Sequence, residues 1–364
     1  MYRKIMGFLE AWKENEHRKP LILQGARQVG KTYSILEFGR THYENVAYFN
    51  FETNPKLNET FEEKISPDYL IPILSHIAGQ TIVKEKTLIV FDEVQLCERA
   101  LTSLKYFCED APDYHIIVAG SLLGVAVNRA KFSFPVGKVD MKTLYPMDME
   151  EFMIAVGEDE LVEQIKKCFE TNRPMPSALH DAAMQLYRQY LVVGGMPECV
   201  MQFVQTGDYI LIRHTQDTIL TSYLNDMSKY NNLNEIKKTR LAYDNITVQL
   251  SKKNTRFQYK LIKKGGRASE FENAIEWLCL SGIASQVYRV EQIKKPLENY
   301  RDIDAFKIYV SDLGLLCAKK DLAANDILYM VEELNDFKGG MTENYVNVQL
   351  AINGYNTYYW ESER

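Results

Sequence analysis

The first residues whose types and spacing could do chemistry lie at Gly25–Thr32. They read Gly-Ala-Arg-Gln-Val-Gly-Lys-Thr and match the phosphate-binding pattern G-x-x-x-x-G-K-[ST] at every fixed position. The two glycines allow the backbone to curl so that consecutive N–H groups point at a phosphate. Lys31 supplies charge for the β- and γ-phosphates, and Thr32 offers its hydroxyl to Mg²⁺. The residues expected to contact a nucleotide are Gly25, Ala26, Arg27, Gln28, Val29, Gly30, Lys31, Thr32 and Tyr33.

A second group consists of two acids that follow the apolar run Leu88–Phe91. A buried strand that ends in Asp92 places its carboxylate at the carboxyl edge of a sheet, where ligands bind in open α/β folds. We expect Thr32 and Asp92 to hold Mg²⁺, Asp92 through the water shell of the ion. Glu93 would orient or deprotonate an attacking water. The acidic pair therefore favours hydrolysis over phosphate transfer to another acceptor.

Ser121 follows another apolar run, His115–Ala119, and is the third candidate. At a strand tip its hydroxyl can bond the γ-phosphate or the attacking water. It can equally cap a helix over Leu122–Val127. The expected catalytic residues are Lys31, Asp92, Glu93 and Ser121.

Short apolar runs alternate with helical spacing through the first third of the chain. Continuous apolarity is typical of parallel strands covered on both faces, and strand–helix alternation predicts an α/β fold with right-handed crossovers. The predicted strands are Pro20–Gln24, Val46–Phe51, Leu88–Phe91, His115–Ala119 and Lys138–Leu144.

After Met147 the pattern becomes helical, with an apolar face assigned to Phe152, Leu161, Ile165 and Phe169. Farther on, the helical runs Glu235–Leu250 and Ser269–Leu280 precede two strand-like runs. These strands are Ala284–Val290 and Ala305–Val310. A last helix at Thr342–Ala351 and a strand at Thr357–Trp360 follow.

Composition excludes several classes of protein. The 364 residues are 46% hydrophobic and 25% charged, with a net charge of −6, which is typical of a soluble globular chain. The six cysteines are scattered without a zinc-site or disulfide pattern. The N-terminus lacks the features of a secretory signal, and no run is long enough to span a bilayer. We expect a cytoplasmic protein without membrane partners.

Five segments together resemble a family of bacterial and archaeal AAA-type P-loop ATP-binding proteins that carry a C-terminal domain of unknown function. The segments are GARQVGKT, LIVFDEVQ, IIVAGSLLG, FPVGKVDMKTLYPM and GGMPE. The resemblance covers nearly the whole chain. It implies an AAA-like strand order with the phosphate loop central, Gln95 near the nucleotide pocket, and Ser121 as a sensor.

The family often has Gly-Arg where this chain has Gly137-Lys138, and lysine cannot form the bidentate fork of arginine. The identity of an arginine finger is therefore open, with Arg99 and Arg129 as candidates.

The predicted organisation has four parts. An AAA-like P-loop parallel sheet occupies 1–146 and a helical lid or linker 147–230. A winged-helix-like domain occupies 231–325, and the family resemblance implies that 326–364 is the start of a restriction-endonuclease-like α/β domain, which we expect to be incomplete.

Residues 237–267 hold ten Lys/Arg and one acid, which could form a DNA-phosphate footprint. Against this, the Ser269–Leu280 helix carries Glu270, Glu272 and Glu276, which would repel phosphate. A solvated or partner-facing basic surface is the alternative.

In the tail, Glu343 sits where a nuclease acid could lie, but neither a later Asp nor a Glu-x-Lys follows it. A complete metal-dependent nuclease site is therefore not expected. An ordinary acid near a helix N-terminus is the simpler interpretation.

These features predict a Mg²⁺-dependent ATPase that works as a nucleotide switch or motor. The alternatives are an ATP-responsive DNA-binding regulator and the ATPase part of a nuclease. Absence of a guanine-specifying Asn-Lys-x-Asp motif favours ATP. The residues leave the oligomeric state open, including a homo-oligomer.

Overall fold

The computed structural model describes residues 1–120, 123, 134–229, 233–250 and 256–362. They divide into an N-terminal unit, Arg3–Leu144, and a C-terminal unit formed by Met1–Tyr2 and Tyr145–Arg364. In the part of the chain described, no helix combines the length and apolarity needed to cross a membrane.

The N-terminal unit is built on a parallel sheet with the strand order β2-β3-β4-β1-β5. Its strands are β1 (Leu21–Gln24), β2 (Asn45–Asn50), β3 (Thr87–Asp92), β4 (His115–Ala119) and β5 (Asp140–Thr143). The five predicted strands are confirmed to within two residues at each end. The phosphate-loop strand β1 lies inside the sheet, between β4 and β5.

Helices cover this sheet, as a parallel sheet requires. They are α1 (Ile5–Glu14), α2 (Lys31–His42), α3 (Leu57–Glu63), α4 (Pro67–Ala78) and α5 (Glu98–Asp110). Strands β3 and β4 are buried along their whole length. At the end of β3, the ring of Phe91 contacts Phe49, Phe51 and Phe61 at centroid distances of 5.7–5.9 Å. This aromatic packing fixes the strand immediately before the two acids.

The C-terminal unit begins with five helices. They are α6 (Met149–Ala155), α7 (Asp159–Glu170), α8 (Ser177–Val193), α9 (Pro197–Thr206) and α10 (Tyr209–Lys229). The prediction for Phe169 was wrong, because its side chain is 87% exposed. A helical period shows that positions share a face, but Phe169 lies in the last turn of α7, beyond the residues that α7 buries, Leu161 and Val162.

Next come three helices and a pair of antiparallel strands. They are α11 (Leu233–Leu250), α12 (Tyr259–Ile262), α13 (Ala268–Leu280), β6 (Ala284–Val290) and β7 (Arg301–Val310). This is the element order expected for the winged helix, whose identification stays a prediction. Phe271, Ile275 and Leu278 of α13 are buried, as predicted for its core face.

The last elements of the chain are α14 (Leu313–Lys319), α15 (Ala324–Leu328), α16 (Asn335–Ile352) and β8 (Tyr358–Tyr359). Helix α16 starts seven residues before the predicted Thr342. Strand β8 pairs with β6, so residues 358–359 complete a three-stranded sheet, β7-β6-β8. The tail thus packs within the C-terminal unit, and the predicted domain boundaries inside this unit stay a prediction.

A buried carboxylate joins two distant glycine-containing turns in this unit. Asp312 is 2% exposed and accepts hydrogen bonds from Gly195 N at 2.6 Å and Leu315 N at 2.8 Å. A Cβ at Gly194 would lie 2.3 Å from Asp312 Oδ1, so the glycine is required for this close approach. Burial raises the pKa of Asp312 to about 6. The Gly194–Glu198 segment therefore has a structural role in holding Asp312.

This pKa shift predicts a pH-dependent stability. Because the folded pKa lies above the ordinary value of 3.8, the folded state binds the Asp312 proton more tightly than the unfolded state. The contribution of Asp312 to the free energy of unfolding should therefore fall by about 3 kcal/mol as the pH rises from about 4 to about 6. Urea unfolding at several pH values should show this loss in the difference between wild type and Asp312→Asn. Asp321→Asn, at an exposed carboxylate, is the matched control. A pH-independent difference would contradict the prediction.

Candidate active site

The loop Gly25–Thr32 connects β1 to α2 and depends on two glycines with positive φ. Gly25 has a φ of +147°, and a Cβ there would lie 2.1 Å from the Leu144 carbonyl oxygen, which is rigid backbone. Gly30 has a φ of +91° and starts the first turn of α2. Only glycine adopts such angles at little cost. The loop conformation is therefore set by these two residues, as the sequence predicted.

Lys31 folds back over this loop. Its Nζ donates to the carbonyl oxygens of Gly25 at 2.8 Å and Ala26 at 2.7 Å. The side chain is only 7% exposed. Carbonyl acceptors compensate for the water that the buried ammonium loses. The loop thus keeps a positive charge beside its own N–H groups.

The structure brings Thr32 and Asp92 together, although 60 residues separate them. Thr32 Oγ1 donates to Asp92 Oδ2 at 2.8 Å. Asp92 is 4% exposed, and its other oxygen, Oδ1, accepts from the Glu93 N–H at 3.0 Å. A hydroxyl and a carboxylate that meet at the carboxyl edge of the sheet form the pair that the sequence predicted.

Glu93 lies at the turn after β3, in the left-handed region with a φ of 50° and a ψ of 40°. Such angles cost a non-glycine residue roughly 1–3 kcal/mol and are concentrated at functional sites. Its Oε2 accepts a hydrogen bond from Gln95 Nε2. Gln95 packs against Gly120, where a Cβ would lie 2.1 Å from the amide oxygen of Gln95. Gln95 thus restrains the side chain of Glu93.

Two polar residues of β2 belong to this site but were missed in the sequence. Tyr48 Oη donates to Asp92 Oδ2 at 2.8 Å, and Asn50 Nδ2 donates to Tyr48 Oη at 3.1 Å. Partial burial raises the pKa of Tyr48 to about 12, so the hydroxyl keeps its proton at neutral pH. Strand β2 was interpreted as a buried apolar run, in which a tyrosine counts as core. The signal in the sequence was the alternation of Tyr48 and Asn50 on one face of β2.

Arg3 is a further residue that the sequence did not single out. Its Nη1 donates to the Val29 carbonyl oxygen at 3.0 Å, and the side chain is 7% exposed. The segment before α1 is therefore hydrogen-bonded to the phosphate loop. A single arginine near the N-terminus gave no signal for this contact.

Other predicted residues lie elsewhere or outside the described part of the chain. Ser121 and Arg129 lie outside the described residues. Tyr33 is exposed in the first turn of α2. Arg99 donates to the Phe61 carbonyl oxygen, and Lys138 pairs with Glu109 at 2.9 Å, so both cations have partners within the N-terminal unit. Neither is shown to face the phosphate loop.

The oxygen atoms of Thr32 and Asp92 fit magnesium better than a transition metal. Within the described ranges, no group of three or more His, Cys, Asp or Glu residues could hold a metal. Mg²⁺ uses few protein oxygens and keeps water and phosphate oxygens as its other ligands. A hydroxyl hydrogen-bonded to one carboxylate, beside a phosphate-binding loop, suits that requirement.

Two family models match the sequence. Residues 17–153 match the model of an AAA domain. Residues 17–153 therefore form an AAA-type P-loop ATPase domain. Residues 184–326 match a domain of unknown function, DUF8612, which follows the ATPase domain in the chain. No curated protein matches the sequence.

Solved structures resemble the chain at low sequence identity. A Walker-type ATPase of Pyrococcus abyssi has a TM-score of 0.52 and 14% identity, over 88% of this chain and 95% of that chain. The ORC2 protein of Aeropyrum pernix has a TM-score of 0.42 and 11% identity, over 96% of this chain and 95% of that one. RuvB of Thermotoga maritima has a TM-score of 0.35 and 15% identity, over 79% and 88%. The first of these likenesses shows a shared fold.

The close approach at Gly25 gives a direct test of the loop in the ATPase domain. Gly25→Ala should bind nucleotide at least about 100-fold more weakly than wild type. The added Cβ would push the loop away from the Leu144 carbonyl. Equilibrium titration with a fluorescent ATP analogue measures this. Gly7→Ala is the control, because its Cβ would meet nothing within 4 Å. Wild-type affinity in Gly25→Ala would show that this turn does not bind the nucleotide.

Proposed function

We propose that the ATPase reaction depends on Mg²⁺ and that the chain works as a nucleotide switch or motor. The observation that carries the proposal is the hydrogen bond from Thr32 Oγ1 to Asp92 Oδ2. It places a hydroxyl and a carboxylate beside the loop that carries Lys31. This combination is the one that P-loop ATPases use at the phosphates and the ion.

In the proposed reaction, a water attacks the γ-phosphorus in line with the bond to the leaving diphosphate. Lys31 would exchange its carbonyl partners for oxygens of the β- and γ-phosphates and stabilise their charge. Glu93 would accept a hydrogen bond from the water, orient it and take its proton as the new P–O bond forms, once its contact with Gln95 is released. When bound, Mg²⁺ would neutralise phosphate charge, with Thr32 and, through water, Asp92 as its protein partners.

Two substitutions separate binding from hydrolysis. Lys31→Ala should abolish ATP binding, because the charge that holds the β- and γ-phosphates is gone. Glu93→Gln should bind ATP as wild type does but lose turnover by about 100-fold or more, since an amide cannot act as a base. Phosphate release and analogue titration on each purified variant measure the two effects. Undiminished turnover in Glu93→Gln would remove Glu93 from the mechanism.

A second proposed function is binding of duplex DNA through part of the basic segment 237–267. Lys252 and Lys253 lie outside the described residues. Among the other basic residues of the segment, Lys238 pairs with Glu235, and Arg240 donates to Ser228 Oγ at 2.8 Å. Lys260, Lys263, Lys264 and Arg267 are exposed within eight residues that contain no acid, and Lys263 also pairs with Glu270 at 3.2 Å. We call these four residues the basic turn.

The basic turn precedes α13, whose exposed side carries Glu272 and Glu276. Those carboxylates would be repelled by phosphates, so α13 is poorly suited to enter a groove. The basic turn itself suits contact with the phosphate backbone, and such contacts do not read base sequence. We therefore infer DNA binding that depends on salt but little on sequence.

Fluorescence anisotropy with labelled duplexes tests this function. Lys263→Gln/Lys264→Gln should weaken binding about 10-fold at low salt and reduce the slope of log K against log salt by about 2. Lys166→Gln/Lys167→Gln changes another pair of adjacent lysines, in α7, and should leave both the affinity and the salt slope unchanged. Equal losses in both double variants, or no binding by wild type, would exclude the basic turn as a DNA surface. DNA-stimulated turnover would favour a DNA-linked motor, and DNA binding without turnover would favour a regulator.

A further inference from the structure

The Asp92 carboxylate accepts hydrogen bonds from Tyr48 and from the Glu93 N–H as well as from Thr32. Its Oδ2 accepts from both Thr32 Oγ1 and Tyr48 Oη, each at 2.8 Å, and its Oδ1 accepts from the Glu93 N–H at 3.0 Å. A carboxylate has about four acceptor positions. Three are therefore filled by donors within the described part of the N-terminal unit. The remaining position lies on Oδ1.

Tyr48 determines which oxygen keeps that position. With Thr32 and Tyr48 both on Oδ2, the carboxylate cannot rotate without breaking two hydroxyl bonds at once. Tyr48 is carried by β2, which pairs in register with β3 as Tyr48↔Val90 and Asn50↔Asp92. The hydroxyl therefore reaches Asp92 from the neighbouring strand.

Asn50 extends this contact to the loop after β2. Its Nδ2 donates to Tyr48 Oη, and its Oδ1 accepts from the N–H groups of Glu52 and Thr53, both at 2.9 Å. An amide with both ends engaged fixes the direction of the tyrosine hydroxyl. A continuous path of hydrogen bonds thus runs from the 52–53 backbone through Asn50 and Tyr48 to Asp92.

We propose that Tyr48 is a positioning residue of the ATPase, which orients Asp92 so that its free Oδ1 position accepts a water bound to the ion. The proposal rests on the Mg²⁺-dependent function above. Residues that hydrogen-bond a group beside a metal typically change metal affinity 10–100-fold when they are removed. Tyr48 therefore acts on the affinity for the ion, through Asp92, and does not itself touch ATP. Asn50 supports the same effect one bond farther away.

The experiment compares Tyr48→Phe with Tyr43→Phe in the full chain. Both substitutions remove one hydroxyl from a tyrosine of the N-terminal unit, and Tyr43 Oη bonds His115 Nδ1 at 2.7 Å, where β4 begins. Site residues lie at the other ends of the strands. The first readout is Mn²⁺ affinity by electron paramagnetic resonance in the presence of a non-hydrolysable ATP analogue. The second is turnover as a function of Mg²⁺ concentration.

Tyr48→Phe should weaken Mn²⁺ affinity and raise the half-saturating Mg²⁺ concentration about 10-fold, with turnover at saturating Mg²⁺ within about two-fold of wild type. Asn50→Ala should shift both in the same direction by a smaller factor, and Tyr43→Phe should shift neither. Equal shifts in Tyr48→Phe and Tyr43→Phe would assign the effect to general softening of the sheet and overturn the proposal. No shift in Tyr48→Phe would overturn it as well. If turnover of the wild type does not depend on Mg²⁺, the proposed function fails first, which separates the two outcomes.

Discussion

The contact between Thr32 and Asp92 depends on the order of the strands, and most of the site depends on that contact. Strands β1 and β3 are not neighbours, because β4 lies between them. Parallel pairing aligns their carboxyl ends at one edge, and α2 starts there with Lys31 and Thr32. The hydroxyl can then reach across β4 to the carboxylate. A shift of β3 by one residue would turn Asp92 to the other face of the sheet and separate the pair.

The desolvation of Asp92 explains why so many donors gather around it. An ionised carboxylate that is 4% exposed is costly unless hydrogen bonds replace the water it has lost. Two hydroxyls and one backbone N–H do so here. The buried Lys31 ammonium likewise replaces lost water with hydrogen bonds to two carbonyl oxygens of its own loop. The Asp92 carboxylate is thus held in place before a nucleotide is bound, whereas Lys31 would exchange its carbonyl partners for phosphate oxygens in the proposed reaction.

The sequence predicted the parts of this arrangement that local patterns control. Continuous apolar runs gave the five parallel strands, and the fixed glycines and lysine gave the loop. Contacts between distant residues were harder to predict, because local sequence patterns do not show which strands are neighbours in the sheet. Tyr48 counted as one more apolar residue of β2 until the pairing with β3 placed it next to Asp92. Asp312 and Gly195, 117 residues apart, meet for the same kind of reason.

Two of the buried carboxylates, Asp312 and Asp92, show how hydrogen-bond donors separate structure from function. Asp312 accepts from the backbone N–H groups of Gly195 and Leu315 on its two oxygens and lies in a fully buried turn. It is only 2% exposed, which fits a role in stability. Asp92 accepts from two hydroxyls and one backbone N–H beside the Gly25–Thr32 loop, and its Oδ1 has an acceptor position that no described residue fills. The difference lies in the donors: backbone amides hold both oxygens of Asp312, whereas Asp92 is held in part by the Thr32 hydroxyl, which still has lone pairs to give to an ion.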